Sequence, residues 1–129
     1  MPCRPRAKRL LFEPPMSRRV WQRGDIVVAT FDPTLGQEQQ GRRPGIVVTH
    51  ADLNRLGVIG VCPIKQGGMG ARNAGLSVSL MGTGTQTQGV VLVLQFRMID
   101  PSQRAFTLIE QAPDDLMEEV RARVAAMLD

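Results

Sequence analysis

Six short apolar runs, parted by polar loops rich in glycine and proline, precede a single stretch of helical period at the C-terminus. This order is what most limits the fold. Short strands at such spacing build a small twisted sheet or barrel, and a lone terminal helix must pack on that sheet to bury its apolar face. The runs are Asp25–Phe31 (DIVVATF), Gly45–Thr49 (GIVVT), Val58–Ile64 (VIGVCPI), Leu76–Leu80 (LSVSL), Val90–Ile99 (VVLVLQFRMI) and Arg104–Gln111 (RAFTLIEQ). The first is dense in β-branched residues, as strands are. The fourth alternates strictly, which predicts a half-exposed strand with Ser77 and Ser79 on its polar face. Val90–Ile99 reads as one long strand, broken by Asp100-Pro101. His50–Gly57 suits a helical turn closed by Gly57, with His50 as its cap rather than a catalytic base. In the final segment Pro113 suits the first helical position, and Asp114 and Asp115 face the positive end of the helix dipole. Leu116, Val120, Val124 and Met127 with Leu128 then share one helical face. Met117 and Met127 fit packing better than a cofactor site.

At 129 residues, with 43% apolar and 22% charged residues, the chain is one globular domain. Aromatic residues are only 4%, a poor supply of stacking platforms for single strands. The formal charge of +4 is unevenly spread: residues 1–23 carry +6, residues 24–112 carry +1 and residues 113–129 carry −3. The chain therefore divides into a basic, flexible arm over 1–23 and a single domain over 24–129. The arm is either a solvated tail or a contact for nucleic acid or an acidic partner. Met16 is an alternative start within it. Cys3 and Cys62 are the only cysteines, their spacing favours no disulfide, and one histidine makes no zinc-ligand set. No apolar run approaches the ~18 residues of a membrane span, and "LLF" in the arm is too short for a signal core. A cytoplasmic protein with reduced thiols is the expectation.

Two loops carry more chemistry than a turn requires. In "LGQEQQGRRPG", Gly36 and Gly41 allow a mobile hairpin, and Pro44 anchors Arg43 in an extended conformation at the start of a strand. An anchored guanidinium is planar, always charged and bidentate, which suits a phosphate. Glu38 is close enough in sequence to bond it. The residues alone support two readings equally: a latch that closes the hairpin, or a functional pair. In "PIKQGGMGARNAG", Lys65, Gln66 and Arg72 among four glycines suit a phosphate cradle, although no GxxxxGK[ST] motif is present. The helix acids read as a solvated face rather than paired catalytic carboxylates.

The stretch "RGDIVVATFDPTLGQEQQGRRPGIVVT" resembles the opening of the PemK/MazF toxins of bacterial toxin–antitoxin systems. Gly24-Asp25, Asp32-Pro33, Gly36, Glu38-Gln39, Gly41 and Arg43-Pro44 match the family's fixed positions. "PIKQGGMGARNAGLSVSL" and "GVVLVLQFRMID" resemble its PemK/Kid and ChpB branch, so the likeness runs from Gly24 to about Asp100. It implies an SH3-like small β-barrel, mainly β, with a C-terminal α-helix, assembled as a homodimer. It also implies an endoribonuclease, an mRNA interferase, that needs no metal or other cofactor. Such an enzyme cuts single-stranded mRNA at a short sequence, arrests growth and is blocked by a small antitoxin.

In that resemblance Arg43 matches the arginine given acid or charge-stabilising work, and Glu38 matches a loop glutamate that acts as base or orients Arg43. Gln95 and Arg97 match a Q-x-R beside the active groove. Lys65 stands where the family has a threonine or serine, so it supplies a new cation. Leu92 and Leu94 stand where the Kid type has its arginine–acid pair, and Gln37 replaces a histidine. The catalytic set is therefore Arg43, Glu38, Lys65 and Gln95, with Gln39, Arg42, Gln66, Arg72, Ala74, Gln88 and Arg97 lining the RNA groove. Two other functions remain open: a catalytically weakened RNA-binding member, and a gyrase-binding toxin of the CcdB type on a related barrel. EQxGxRP argues against the second.

Overall fold

The computed structural model describes residues 20–31, 42–66 and 77–129. Among these residues, seven strands, a helical turn, two 3₁₀ turns and a terminal helix follow in chain order. They are β1 (Asp25–Thr30), β2 (Arg42–Val47), α1 (Ala51–Asn54), β3 (Ile59–Lys65), β4 (Ser77–Ser79), β5 (Val90–Leu92), β6 (Arg97–Ile99), β7 (Thr107–Gln111) and α2 (Asp114–Ala126). The strands form one antiparallel sheet in the order β4-β5-β3-β2-β1-β7, with β6 also paired to β3.

The middle stretches of the central strands are apolar because both faces of the sheet are covered there. On one face Ile26, Ile46, Val48, Cys62, Ile64, Val78, Leu80, Val91 and Val93 meet Leu116, Met117, Val120 and Val124 of α2. Leu116, Val120 and Val124 belong to the apolar stripe expected of the helix, whereas Met127 and Leu128, expected on the same face, lie just beyond its end and are exposed. On the other face Val27, Ala29, Phe31, Val47, Ile59, Val61 and Ile99 pack together, flanked by Trp21 and Phe106. The Trp21 and Phe106 rings meet edge-on, 5.4 Å between centroids. The sheet curls toward closure. Glu110 of β7 accepts hydrogen bonds from the backbone N–H of Gln86 and Thr87 and from the Thr87 hydroxyl, in the loop between β4 and β5. Opposite ends of the strand order are thereby joined.

The single strand expected over Val90–Ile99 is not one. It splits into β5 and β6 around a 3₁₀ turn at Val93–Gln95. Both halves pair with β3, Ile64 facing Val91 and Val61 facing Arg97. Cys62 and Pro63 therefore lie opposite the longer segment Leu92–Phe96, and the surplus folds into the turn. Pro63 has no N–H to offer a ladder at that point, which weakens a continuous pairing.

Other boundaries also shift: β7 starts at Thr107 instead of Arg104, because the chain first turns through Arg104 and Ala105. β2 starts at Arg42 instead of Gly45, because Arg42 and Arg43 pair with Thr30 and Ala29. Pro113 is the residue before the helix, extended at φ −62° and ψ 153°, rather than its first member. His50 does cap α1, its Nδ1 accepting from Leu53 N–H. Cys62 is free and buried, and burial pushes its thiol up to about 12.

Candidate active site and nucleic-acid interface

Gly24-Asp25, the first pair of the motif, serves the fold. Gly24 takes a positive φ of 97°, donates to Val47 O and accepts from Ala112 N–H. Asp25 is fully buried, its carboxylate accepting from Gln22 N–H and Gln111 Nε2. Among the described residues no buried side-chain nitrogen or oxygen lacks a partner.

Arg43 and Lys65 are placed differently. Alternation along β2 and β3 puts Val47, Ile59 and Val61 on the face away from α2. Arg43, Gly45, Pro63 and Lys65 share that parity. Gly45 pairs with Pro63, so carrying the register two residues on sets Arg43 across from Lys65. Both are exposed. Two cations at facing positions repel one another and so favour an anion between them. Beneath them lies Phe31. A β-carbon at Gly45 would stand 2.3 Å from its ring, so only glycine lets β2 close over that ring.

Around this pair stand other candidates. Lys65 faces Val90 of β5, and the turn just before Val90 holds Gln88, whose amide donates to Thr85 O at 3.0 Å. Gly89 presses against the Lys65 carbonyl, where a β-carbon would approach to 2.4 Å. Gln66 follows Lys65 and is exposed. Arg42 is exposed beside Arg43, with a long 3.5 Å contact to the Thr107 hydroxyl. Gln95 is exposed on the 3₁₀ turn alongside β3. Arg97 pairs with Val61, and its Nη1 donates to Phe31 O at 3.2 Å. Leu92 pairs with Ser77 of β4, and Leu94 is 55% exposed. Glu38, Gln39, Arg72 and Ala74 lie outside the described residues.

Arg104 is absent from the sequence reading of the site, yet it converges on the same place. Its Nη1 donates to Phe31 O at 2.6 Å and to Thr30 O at 3.3 Å. No local sequence signal marks it, because it reads as the first residue of a strand. Glu110, also unassigned from sequence, fixes the loop that carries Gln88. Burial works to raise its pKa, but the Gln86 and Thr87 hydrogen bonds prevail and lower it. Among the described residues no three His, Cys, Asp or Glu side chains gather as a metal would require, and no helix is long and apolar enough to cross a membrane.

Known proteins share this architecture and sequence. Residues 22–128 match the family described as the PemK-like, MazF-like toxin of type II toxin–antitoxin systems. The endoribonuclease PemK of Escherichia coli is 44% identical over 108 residues, 83% of this chain and 81% of the relative. The endoribonuclease toxin ChpB of Escherichia coli is 44% identical over 110 residues, 84% of this chain and 95% of the relative. A crystal structure of MazF from Deinococcus radiodurans superposes with a TM-score of 0.70 at 32% identity, covering 86% of this chain and 98% of that one. A MazE–MazF complex from the same organism gives a TM-score of 0.69 at 28% identity, covering 86% and 98%. The curled antiparallel sheet with its C-terminal helix is thus the MazF fold, and the chain belongs to the PemK-like, MazF-like toxin family.

Proposed function

We propose that this protein is a sequence-specific endoribonuclease toxin that cuts single-stranded mRNA by attack of the substrate's own 2′-OH. The observation that carries the reading is that Arg43 and Lys65, both exposed, share one parity of β2 and β3, each two residues beyond the Gly45–Pro63 pair. Activity in two relatives at 44% identity supports it. An internal nucleophile needs its proton removed, the leaving oxygen protonated and the phosphorane charge stabilised, all of which side chains supply without a metal. Arg43 does the acid or charge-stabilising work at the scissile phosphate, and Lys65 shares in stabilising the charge on the equatorial oxygens. Glu38 takes the 2′ proton or orients Arg43, and Gln95 orients the substrate beside them. Gln39, Arg42, Gln66, Arg72, Ala74, Gln88 and Arg97 line the path of the strand. The products are a 2′,3′-cyclic phosphate and a 5′-OH.

A cognate antitoxin neutralises the protein by covering this groove, a reading supported by the solved complexes of MazE with MazF. The active form is a cytoplasmic homodimer. Leu94 and Met98, exposed beside the one-sided strand β6, provide apolar surface for a second copy.

The test is incubation of the full chain with a long single-stranded RNA in EDTA, followed by mapping of the ends. Discrete cuts with cyclic phosphate, lost in Arg43→Ala, are expected. Cuts that EDTA abolishes, or 5′-phosphate ends, would sink the mechanism. Leu92 and Leu94, standing in place of an arginine–acid pair, favour one second reading: a weakened RNA-binding member. Salt-sensitive binding without cutting would establish it.

A further inference from the structure

We infer that Arg104 is a positioning residue for this site, acting with Arg97 through the carbonyl oxygen of Phe31. The inference rests on the RNA-cleavage reading above and adds a residue to it. Three bonds join Arg104 to the end of β1: Nη1 to Phe31 O at 2.6 Å, Nη1 to Thr30 O at 3.3 Å, and Thr30 N–H to the Arg104 carbonyl at 2.9 Å. Arg97, reaching from β6, donates to the same Phe31 O at 3.2 Å. Two guanidinium groups from separate segments thus hold one peptide carbonyl.

The turn that delivers Arg104 is itself built. Asp100 caps it, its Oδ1 accepting from Ser102 N–H at 2.9 Å and Ser102 Oγ at 2.7 Å. Ala105 takes a φ of 52°, a conformation unfavourable for a side-chain-bearing residue. That reversal lets both the carbonyl and the guanidinium of Arg104 address residues 30 and 31.

The held segment lies under the proposed chemistry. Thr30 pairs with Arg42 and Ala29 with Arg43. The Phe31 ring fills the space over Gly45, two residues from Arg43 and opposite Pro63, which is two residues from Lys65. Moving Phe31 therefore moves the floor on which Arg43 and Lys65 stand. Arg104 shapes the site without touching the substrate, and its loss lowers turnover more than binding.

Arg104→Ala and Arg104→Lys in the full chain test this by peptide-level hydrogen exchange and by steady-state cleavage of single-stranded RNA across a salt series. In Arg104→Ala, exchange of peptides covering residues 28–31 and 42–45 is expected to rise about tenfold while α2 is unchanged. The expected kcat falls by about tenfold or more with KM within about twofold. Arg104→Lys, which keeps one donor, restores part of both. A raised KM with a shallower salt dependence and unaltered exchange would show Arg104 to be a phosphate ligand and overturn the inference. Unaltered exchange and kcat would overturn it as well. If Arg104→Ala unfolds the whole chain, Arg104→Lys decides by the same two readouts. Should the wild-type protein cut no RNA, the nuclease reading fails on that result, while the exchange experiment still judges the clamp.

Discussion

The two ends of the β1–β2 ladder carry charges from the same sequence motif and use them in opposite ways. At one end Asp25 is fully buried and its carboxylate is met by donors from Gln22 and Gln111. At the other, Arg42 and Arg43 are exposed, and register sets Arg43 across from another cation at Lys65. A buried carboxylate with its donors in place fixes the fold, and removing it leaves donors without partners. Facing cations cost stability in the free protein and gain from an anionic ligand. The difference separates a residue that the sheet needs from residues that the sheet only presents.

The largest expected effect tests the presenting end. Arg43→Ala should lower RNA cleavage on the order of 10²–10³-fold, as loss of a charge-stabilising donor does. Its urea midpoint should match the wild type; a large drop would put Arg43 in the same class as Asp25. The second test is the reverse. Asp25→Asn turns an amide N–H₂ toward a donor and should cost about 1–3 kcal/mol in urea unfolding. The activity of its folded fraction should be retained, and selective loss of activity at full stability would collapse the distinction. Third, Lys65→Thr removes one of the facing cations and should leave cleavage within about tenfold. Complete loss would mean that Lys65 is essential and not an auxiliary charge.

The smallest effect concerns Glu110, a half-buried acid bound by backbone donors. Its folded pKa lies below its ordinary value of about 4.5, so its contribution is present above that value and lost as the pH falls through the folded pKa. Glu110→Gln should therefore lower stability near neutrality and flatten the acid limb of the stability profile. An unchanged acid limb, followed by denaturant unfolding at stepped pH, would show that the bonds to Gln86 and Thr87 do not bias its ionisation.

What could be read in advance follows from where each structure is decided. β1, β3 and α2 were legible because β-branched density and helical period are local properties. The division of Val90–Ile99 was not, since every residue there tolerates a strand and the break is imposed by the shared partner β3. Arg42 looked like loop and is strand, because pairing with Thr30 outweighs its polarity. Arg43 stood out as an anchored guanidinium and Lys65 as part of a glycine-rich phosphate cradle, but only the register of β2 on β3 relates the one to the other. Arg104 stayed hidden because its role depends on a left-handed Ala105 that no composition announces.

The strand that bears Lys65 at its end also orders events in time. β3 takes β2 on one side and both β5 and β6 on the other, while β1 waits for β7, pairing Asp25 with Gln111. Such distant pairings make folding slow compared with chains dominated by local contacts. On the ribosome, β1 to β3 emerge long before the strands that complete them. The β7 pairing that completes β1, the strand beside Arg42 and Arg43, therefore waits until Gln111 has been synthesised.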